Sequence, residues 1–485
     1  MSKVYQSAAG LSKERAFLDS ALQSDGAVMR PSVLEWLNAR RVAHQFEVKR
    51  IPFAQLKAWH FEPATGDLVH QSGKFFKIEG IEVKTNFGPT AQWMQPIINQ
   101  PEVGILGFLT RKIDGVLHFL VQAKMEPGNI NLVQLSPTVQ ATRSNYTQVH
   151  GGSRPRYLEY FLDRSRPRVL VDQMQSEQGA RFLRKRNRNM IVEVQADEPV
   201  EMHEDFCWLT LGQIIDLLAV DNIVNMDSRT VLSCIRYAGA RARSPLEAGI
   251  LENTTFRQDV LVSALADEGA AWNDFDSIVS WITHLKTRFE LQVRRVPLNQ
   301  VKGWRREEAE LRHESGKFFS VVAVSVIASN REVGSWEQPL IESAKGGIIC
   351  FVCQKNKGIL HFLVQGRVEP GNFDAVEMAP TLQCTPANYD PVRPELLPPF
   401  YDLVMKAKPD QVRYSSFQSE EGGRFYHDQN RYLAIEVDAY ADLNLPENYI
   451  WMTLGQMKEF IRFNNYFNIE ARGLISCLGI SEPHA

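Results

Sequence analysis

The run GVLHFLVQAKMEPGN at Gly115–Asn129 returns as GILHFLVQGRVEPGN at Gly358–Asn372, 243 residues later. A period that long builds a tandem pair of domains, not a solenoid. The offset then holds without a gap: SGKFF (72–76) answers SGKFF (315–319), and Trp93, Gln95 and Pro96 answer Trp336, Gln338 and Pro339. Pro137–Gln140 matches Pro380–Gln383, Asn187-Arg188 matches Asn430-Arg431, and Thr210–Gln213 matches Thr453–Gln456. Upstream, VKRIP (48–52) returns as VRRVP (293–297) at an offset of 245, so the copies differ by two residues between about 60 and 71. Roughly 50 positions between 72 and 234 are identical in the two copies. The duplicated units run from about 30 to 237 and from 275 to 480. We therefore divide the chain into a first repeat with an N-terminal helix (1–237), a linker (238–255, opening AGARARSPLEAG) and a second repeat (256–485).

Each repeat reads as helices, then strands, then helices. In the first, helices are expected over 11–24 and 31–44, the second with Ser32 and Glu35 at capping-box spacing. Strands follow near 75–83, 103–111, 115–125, 132–142, 169–174 and 188–195, with a hairpin turn at Lys112–Gly115. Thr210 and Gln213 form the capping box of a closing helix. The fold class is α+β: two tandem duplicated domains, each a mixed or antiparallel sheet flanked by helices.

With 44% hydrophobic residues, 23% charged and a net charge of −3, the 485-residue chain is an ordinary globular protein with no call for nucleic acid or an anionic membrane as partner. No apolar run approaches the ~20 residues of a membrane span, and the N-terminus lacks a signal-peptide core. Cys350 and Cys353 form a C-x-x-C without a second pair, and on a strand they face opposite ways. All six cysteines read as reduced and mostly buried, in a cytoplasmic protein.

Four features in each repeat carry chemistry. On the long strand, Leu117, Phe119, Val121 and Met125 share one face, while His118, Leu120, Gln122, Lys124 and Glu126 share the other. That row is a pocket wall or a solvated polar face, and its return as His361, Leu363, Gln365, Arg367 and Glu369 favours the pocket. Next come QATRSNY (140–146) and QCTPANY (383–389), a donor–acceptor segment with a ring for stacking, or a satisfied turn. In QSEQGARF (175–182) and QSEEGGRF (418–425), Ser176 and Ser419 are placed to cap a short helix, either plainly or over a phosphate, with Arg181 and Arg424 a turn later. Trp59 and Trp304 are core residues or stacking platforms. Ten Lys/Arg against four acids over 150–188, compared with six against six over 393–431, favour an anionic ligand in the first repeat. No dinucleotide, P-loop, zincin or serine-hydrolase motif occurs in its proper setting.

The doubled pattern SGKFF, W-x-QP, LHFLVQ-x-[KR]-x-EPGN, PT-x-Q-x-T, NY, QSE-x-G-x-RF and W-x-TLGQ resembles the NDP-hexose 2,3-dehydratases of deoxysugar biosynthesis over about 30–480. The resemblance implies two Nudix-like domains, a homodimer, and a dTDP-linked 4-keto-6-deoxyhexose as substrate, with a nucleotide-sugar pocket in each repeat. The copy at 419–425 lacks the RE-x-x-EE spacing with which Nudix hydrolases hold Mg²⁺ on a pyrophosphate. The implied reaction removes the C3 proton next to the C4 ketone and expels the C2 hydroxyl, which requires no redox cofactor or metal. A downstream 3-ketoreductase is the expected functional partner, because the diketo product is labile.

On this reading Arg143, Arg181 and Arg188 meet the diphosphate, Trp59 or Tyr146 stacks, and Gln140, Thr142, Ser144 and Asn145 meet hydroxyls. Lys124 stabilises the enolate. Glu126, Tyr146 or Glu177 serves as acid or base, and His118 is either the titrating group or a buried structural histidine. Trp304, Arg367, Gln383, Thr385, Asn388, Tyr389, Gln418, Ser419 and Glu420 form the second set. The alternatives are a Nudix-type nucleotide-sugar pyrophosphatase and a non-catalytic nucleotide-sugar-binding protein.

Overall fold

The computed structural model describes residues 8–25, 32–142, 154–163, 167–238, 254–329, 331, 333–389, 393–438 and 443–480. In the first half the strands are β1 (Phe46–Ile51), β2 (Trp59–Phe61), β3 (Leu68–His70), β4 (Lys77–Thr85), β5 (Gln92–Asn99), β6 (Gly104–Ile113), β7 (Val116–Met125), β8 (Val133–Ser136), β9 (Val139–Ala141), β10 (Arg168–Ser176), β11 (Arg186–Glu193) and β12 (Phe206–Thr210). In the second half they are β13 (Leu291–Val296), β14 (Trp304–Arg306), β15 (Glu310–His313), β16 (Phe319–Ala328), β17 (Ser335–Ser343), β18 (Gly347–Asn356), β19 (Ile359–Arg367), β20 (Glu377–Ala379), β21 (Leu382–Cys384), β22 (Val412–Ser419), β23 (Gln429–Glu436) and β24 (Tyr449–Thr453). The protein is α+β, with a seven-stranded and a five-stranded sheet for each half.

Local chemistry sets the expected elements. Ser32 and Glu35 form a complete capping box, as do Thr210 and Gln213. The β6–β7 hairpin turns through Asp114 and Gly115, both at positive φ, and the β18–β19 hairpin through Lys357 and Gly358 likewise. In the larger sheet β11 runs parallel to β6 and antiparallel to β10, so the sheet is mixed. The smaller sheets bring a feature the sequence did not announce. Strand β1 leaves its own half and pairs with β16 over Phe46↔Ala328 to Ile51↔Ala323, while β13 pairs with β4 over Leu291↔Thr85 to Val296↔Gly80. Each half thus completes the other's small sheet, the geometry of a domain swap fused into one chain.

The cores are shared in the same way. One apolar cluster holds Phe17, Phe108 and Phe119 together with Phe351, Phe362 and Phe460. A second joins Trp59, Phe76 and Phe182 to Phe319, Ile341 and Phe425. The helices Met226–Ser233 and Ile469–Cys477 pack against each other and carry two fully buried arginines that reach across. Arg229 donates to the Gln418 Oε1 and the Ser419 carbonyl, and Arg472 donates to the Ser176 carbonyl. These bonds offset the cost of burying each guanidinium. All six cysteines are unpaired thiols and buried. No helix among the described residues is long and apolar enough to cross a membrane.

Candidate active site

Strand β7 is apolar on the Leu117, Phe119, Val121 face as expected, but its other face is buried too. Leu120 packs with Trp208 and Tyr157 in a third cluster, which divides the polar row. His118 lies six residues before Lys124, about 20 Å along an extended strand. Its Nδ1 contacts the Val116 carbonyl at 2.9 Å, and burial lowers its pKa. The equivalent His361 accepts the Trp272 backbone N–H on Nε2 at 3.0 Å, so this histidine is a structural element at the far end of the strand.

The chemistry gathers where β7 ends. Lys124 Nζ lies 3.6 Å from Glu126 Oε1, and that oxygen also accepts from Gln140 Nε2 at 3.0 Å. Gln140 is oriented in turn by Asn225 Nδ2 at 3.3 Å, while Asn225 Oδ1 caps the helix Met226–Ser233 through the Ser228 N–H at 2.8 Å. This relay fixes the carboxyl. The second half repeats it: Arg367 on Glu369 at 3.0 Å, Gln383 on Glu369 at 3.0 Å, Asn468 on Gln383 at 2.8 Å. Glu126 Oε2 and Glu369 Oε2 are buried with no hydrogen-bond partner among the described residues.

Neither site belongs to one half. The Gly128 N–H donates to the Gly422 carbonyl at 2.7 Å, and the Gly128 carbonyl accepts from the His427 N–H at 2.8 Å. The mirror pair is Gly371 N–H on the Gly179 carbonyl at 2.7 Å and Arg184 N–H on the Gly371 carbonyl at 2.8 Å. Each Glu-Pro-Gly-Asn turn is therefore covered by the other half's QSE loop. Arg424 stacks 4.3 Å over Phe76 and donates to Gln100 at 3.2 Å on the first-half side, whereas Arg181 stacks 4.2 Å over Phe319 on the other. Arg181, expected on a first-half diphosphate, serves the second-half site because the loops cross.

Where the loops meet, Gln178 donates to Glu420, which also accepts from Asn430. The pseudo-equivalent pair is Glu421 with Glu177, carboxyl against carboxyl. Burial, then Glu421, pushes Glu177 up to about 7, although Asn187 donates to it at 2.7 Å. Burial, then Asp428, takes Glu420 to about 8, and burial holds Lys185 down at about 8. Such sites hold some carboxyls neutral beside ionised ones, the condition for acid–base work near neutrality.

A stability prediction follows. Because the folded pKa of Glu420 exceeds its ordinary 4.5, the native state binds the extra proton between 4.5 and about 8. Stability is then fully present at low pH and is lost as pH rises through that window. Glu420→Gln, which pairs with Gln178 as amide with amide, should match the parent at pH 5. At pH 8.5 it should exceed the parent by about 2 kcal/mol in urea unfolding.

Several expected site residues lie elsewhere. Ser176 and Ser419 end strands and cap no helix, because the N–H groups of Glu177, Arg181 and Phe182 are spent on the Lys185 and Gln178 carbonyls. Their hydroxyls donate to Glu377 and Gln134, each at 2.9 Å. Gln418 donates to the Leu218 carbonyl at 2.8 Å within the interface between the halves. Arg188 projects from the opposite face of β11 to Asn187 and forms a two-pronged pair with Asp172 at 2.6 and 2.7 Å, so it is committed away from the site. The basic excess of this region is dispersed in the same manner, Arg168 on Glu193 and Arg186 over Phe373. Trp59 is 5% exposed against Phe76, and Trp304 donates its indole N–H to the Met94 carbonyl at 3.0 Å; both are packing residues. Thr385 opens the turn Pro386–Asn388, Asn388 accepts from the Phe318 N–H at 2.8 Å, and the Tyr389 carbonyl accepts from Lys317 at 3.4 Å, which fastens QCTPANY over Arg367. Thr142 ends the described part of the matching first-half segment; Arg143, Ser144, Asn145 and Tyr146 lie outside the described residues.

Sequence reasoning missed Asn225 and Asp227 and their counterparts Asn468 and Glu470. Burial and neighbouring carboxyls, Glu421 for Asp227 and Glu369 for Glu470, raise both acids well above their ordinary values. The signal was there as NIVNMDSR (222–229) against NYFNIEAR (465–472).

Comparison with known proteins bears on this arrangement directly. A family model described as NDP-hexose 2,3-dehydratase matches residues 30–235 and again 275–478, one match for each repeat. A dTDP-4-dehydro-6-deoxy-alpha-D-glucopyranose 2,3-dehydratase of Saccharopolyspora spinosa is 51% identical over 470 residues, covering 97% of this chain and 95% of the relative. Relatives of the same name from Amycolatopsis orientalis (48%, 95% of this chain and 92% of the relative) and Streptomyces violaceoruber (44%, 93% and 97%) align as fully. Since these matches span both crossed halves, and with them both cation–carboxyl sites, the chain belongs to the NDP-hexose 2,3-dehydratase family.

Proposed function

We propose that the chain is a hydro-lyase that converts dTDP-4-keto-6-deoxy-D-glucose to the 3,4-diketo-2,6-dideoxy sugar nucleotide, and that the first-half site performs the chemistry. The observation that carries this reading is the Lys124–Glu126–Gln140–Asn225 relay, which fixes one cation and one carboxyl a few ångströms apart in a buried setting. The C4 ketone acidifies C3–H because the electron pair left behind spreads onto the ketone oxygen. Glu126 takes that proton, and Lys124 stabilises the oxygen that gains charge. The enolate then expels the C2 hydroxyl as water, restoring C4=O and leaving a C2=C3 enol. Protonation at C2 and loss of the O3 proton give the diketone. Atoms balance with one water lost and no change of net oxidation state. In the second half Arg367 stands at the lysine position. A guanidinium holds a charge but does not exchange a proton near neutrality, which suits a site that only binds.

The pyrophosphatase alternative needs loop carboxylates free for a metal; Glu420 is instead occupied by Gln178 and Asn430. A homodimer in the cytoplasm, with a 3-ketoreductase consuming the labile product, completes the proposal. The test is incubation with dTDP-4-keto-6-deoxyglucose followed by mass spectrometry. Loss of one water with dTDP still attached is expected. Release of a nucleoside monophosphate supports the pyrophosphatase instead, and an unchanged mass with no solvent deuterium in the sugar supports a binding protein.

A further inference from the structure

The two sites are not copies of each other, and the difference lies in the loop that each borrows from the opposite half. The second half lends the first-half site Glu421-Gly422-Gly423-Arg424; the first half lends the other site Gln178-Gly179-Ala180-Arg181. Gly422 and Gly179 are required alike. A Cβ on Gly422 would come within 2.1 Å of Asn129 Oδ1, and one on Gly179 within 2.2 Å of Asn372 Oδ1. The next position is different. A Cβ on Gly423 would lie 3.1 Å from Glu421 Oε1 and 3.6 Å from Glu126 Oε1, so a side chain here would crowd two carboxyl groups that come from different halves. Those oxygens are therefore no further apart than the sum of the two distances. A spacing near that limit would suit one carbon–carbon bond with its hydrogen towards one carboxyl and its hydroxyl towards the other, at reacting distances of about 3–3.5 Å. In the other site the second carboxyl is an amide, Gln178, and the missing methyl is present, as Ala180.

We propose that Glu421 is the catalytic acid of the dehydration: it faces Glu126 across Gly423, protonates the departing C2 hydroxyl, and the glycine keeps the space between the two carboxyls open for the reacting edge of the sugar. This rests on the assignment of Glu126 as base and adds the partner it needs. The step balances: C3–H gives its proton to Glu126, the C2–O bond breaks with its electron pair on oxygen, and Glu421 supplies the proton that makes this water. The roles follow from the surroundings. Glu126 accepts from Gln140 and has Lys124 at 3.6 Å, as an acceptor of protons should. Glu421 is held above the ordinary carboxyl range by burial and then, against the pull of Arg424, by Glu126, so it enters with a proton to give. Its side chain is half-buried.

Glu421→Gln is a mild change, because the fold already accepts glutamine at the equivalent position 178. The variant should lose water elimination by about a hundredfold or more in kcat. It should still bind dTDP and still exchange the C3 hydrogen of dTDP-4-keto-6-deoxyglucose with solvent deuterium. Gly423→Ala should lower turnover at least tenfold with an unchanged melting temperature. Elimination at the parental rate in Glu421→Gln, or loss of C3 exchange along with elimination, overturns the assignment of the acid. Full turnover in Glu126→Gln overturns the underlying choice of base and site, which keeps the two failures apart.

Discussion

Gly128→Ala and Gly371→Ala are each expected to leave the protein unable to fold stably, at a cost of about 4 kcal/mol or more. A Cβ at 128 would sit 1.5 Å from the Phe425 carbonyl oxygen, and one at 371 would sit 1.7 Å from that of Phe182. Both obstacles are backbone, and each is held in place by the pairing of the crossed loops, so neither can swing aside as a side-chain tip would. To admit the methyl, the Glu-Pro-Gly-Asn turn must leave the opposite QSE loop. That movement gives up the Gly128–Gly422 and Gly128–His427 bonds, or the corresponding pair at Gly371. Gly73→Ala is the control. Gly73 lies at positive φ, unlike Gly128 and Gly371, but no atom lies within 4 Å of the new methyl, so only the backbone strain of about 1–2 kcal/mol remains. Urea midpoints or soluble yields of the three variants check the difference. A fall at Gly128 no larger than at Gly73 would mean that the halves are not locked where these turns cross.

The same turns show how far the sequence could be read. The duplication was legible as a repeat at a constant offset, and the Asp114–Gly115 hairpin, the capping boxes at Ser32 and Thr210 and the two faces of β7 were legible because each depends on neighbours a few residues apart. The exchange of β1 and β13 was not legible. Strands 48–52 and 293–297 are near copies, so either would suit either sheet, and nothing local says which partner is taken. That exchange carries the loops across, which is why Arg181, read with the first-half set, lies at the second-half turn, while Arg424 and Glu421 lie at the first-half turn. Arg188 misled for a different reason: in a strand its parity sets it on the face opposite Asn187, and Asp172 was waiting there. That Lys124, Glu126 and Gln140 would come together was legible because one strand and the segment after it set their places. Asp227 was not legible because the carboxyl it faces, Glu421, comes from the opposite half.

Lys124→Met should lower kcat by 10²–10³, about 3–4 kcal/mol of transition-state stabilisation, with KM for the sugar nucleotide changed far less. The reason is that the ammonium acts on charge which appears only when C3–H is broken. A ground-state ketone draws little from it, while an enolate oxygen in a site shielded from water draws a great deal. Methionine keeps most of the stem, so the apolar packing is largely retained; the cost to folding is a Glu126 left without its cation but still bonded to Gln140. Lys124→Arg separates charge from chemistry, because it installs what the second half already carries at Arg367. If fixed positive charge were enough, this variant would regain most of the rate. The expectation is a partial recovery at best, since the planar fork cannot place a single donor on one oxygen as a lysine does, and at Arg367 it is already turned onto its own Glu369 at 3.0 Å. The matching change Arg367→Met should leave dehydration close to the parental rate while altering the binding of dTDP to its half. Steady-state kinetics on the three variants, with titration of dTDP against each, checks this division of labour. Equal losses of turnover from Lys124→Met and Arg367→Met would place catalysis in both halves alike.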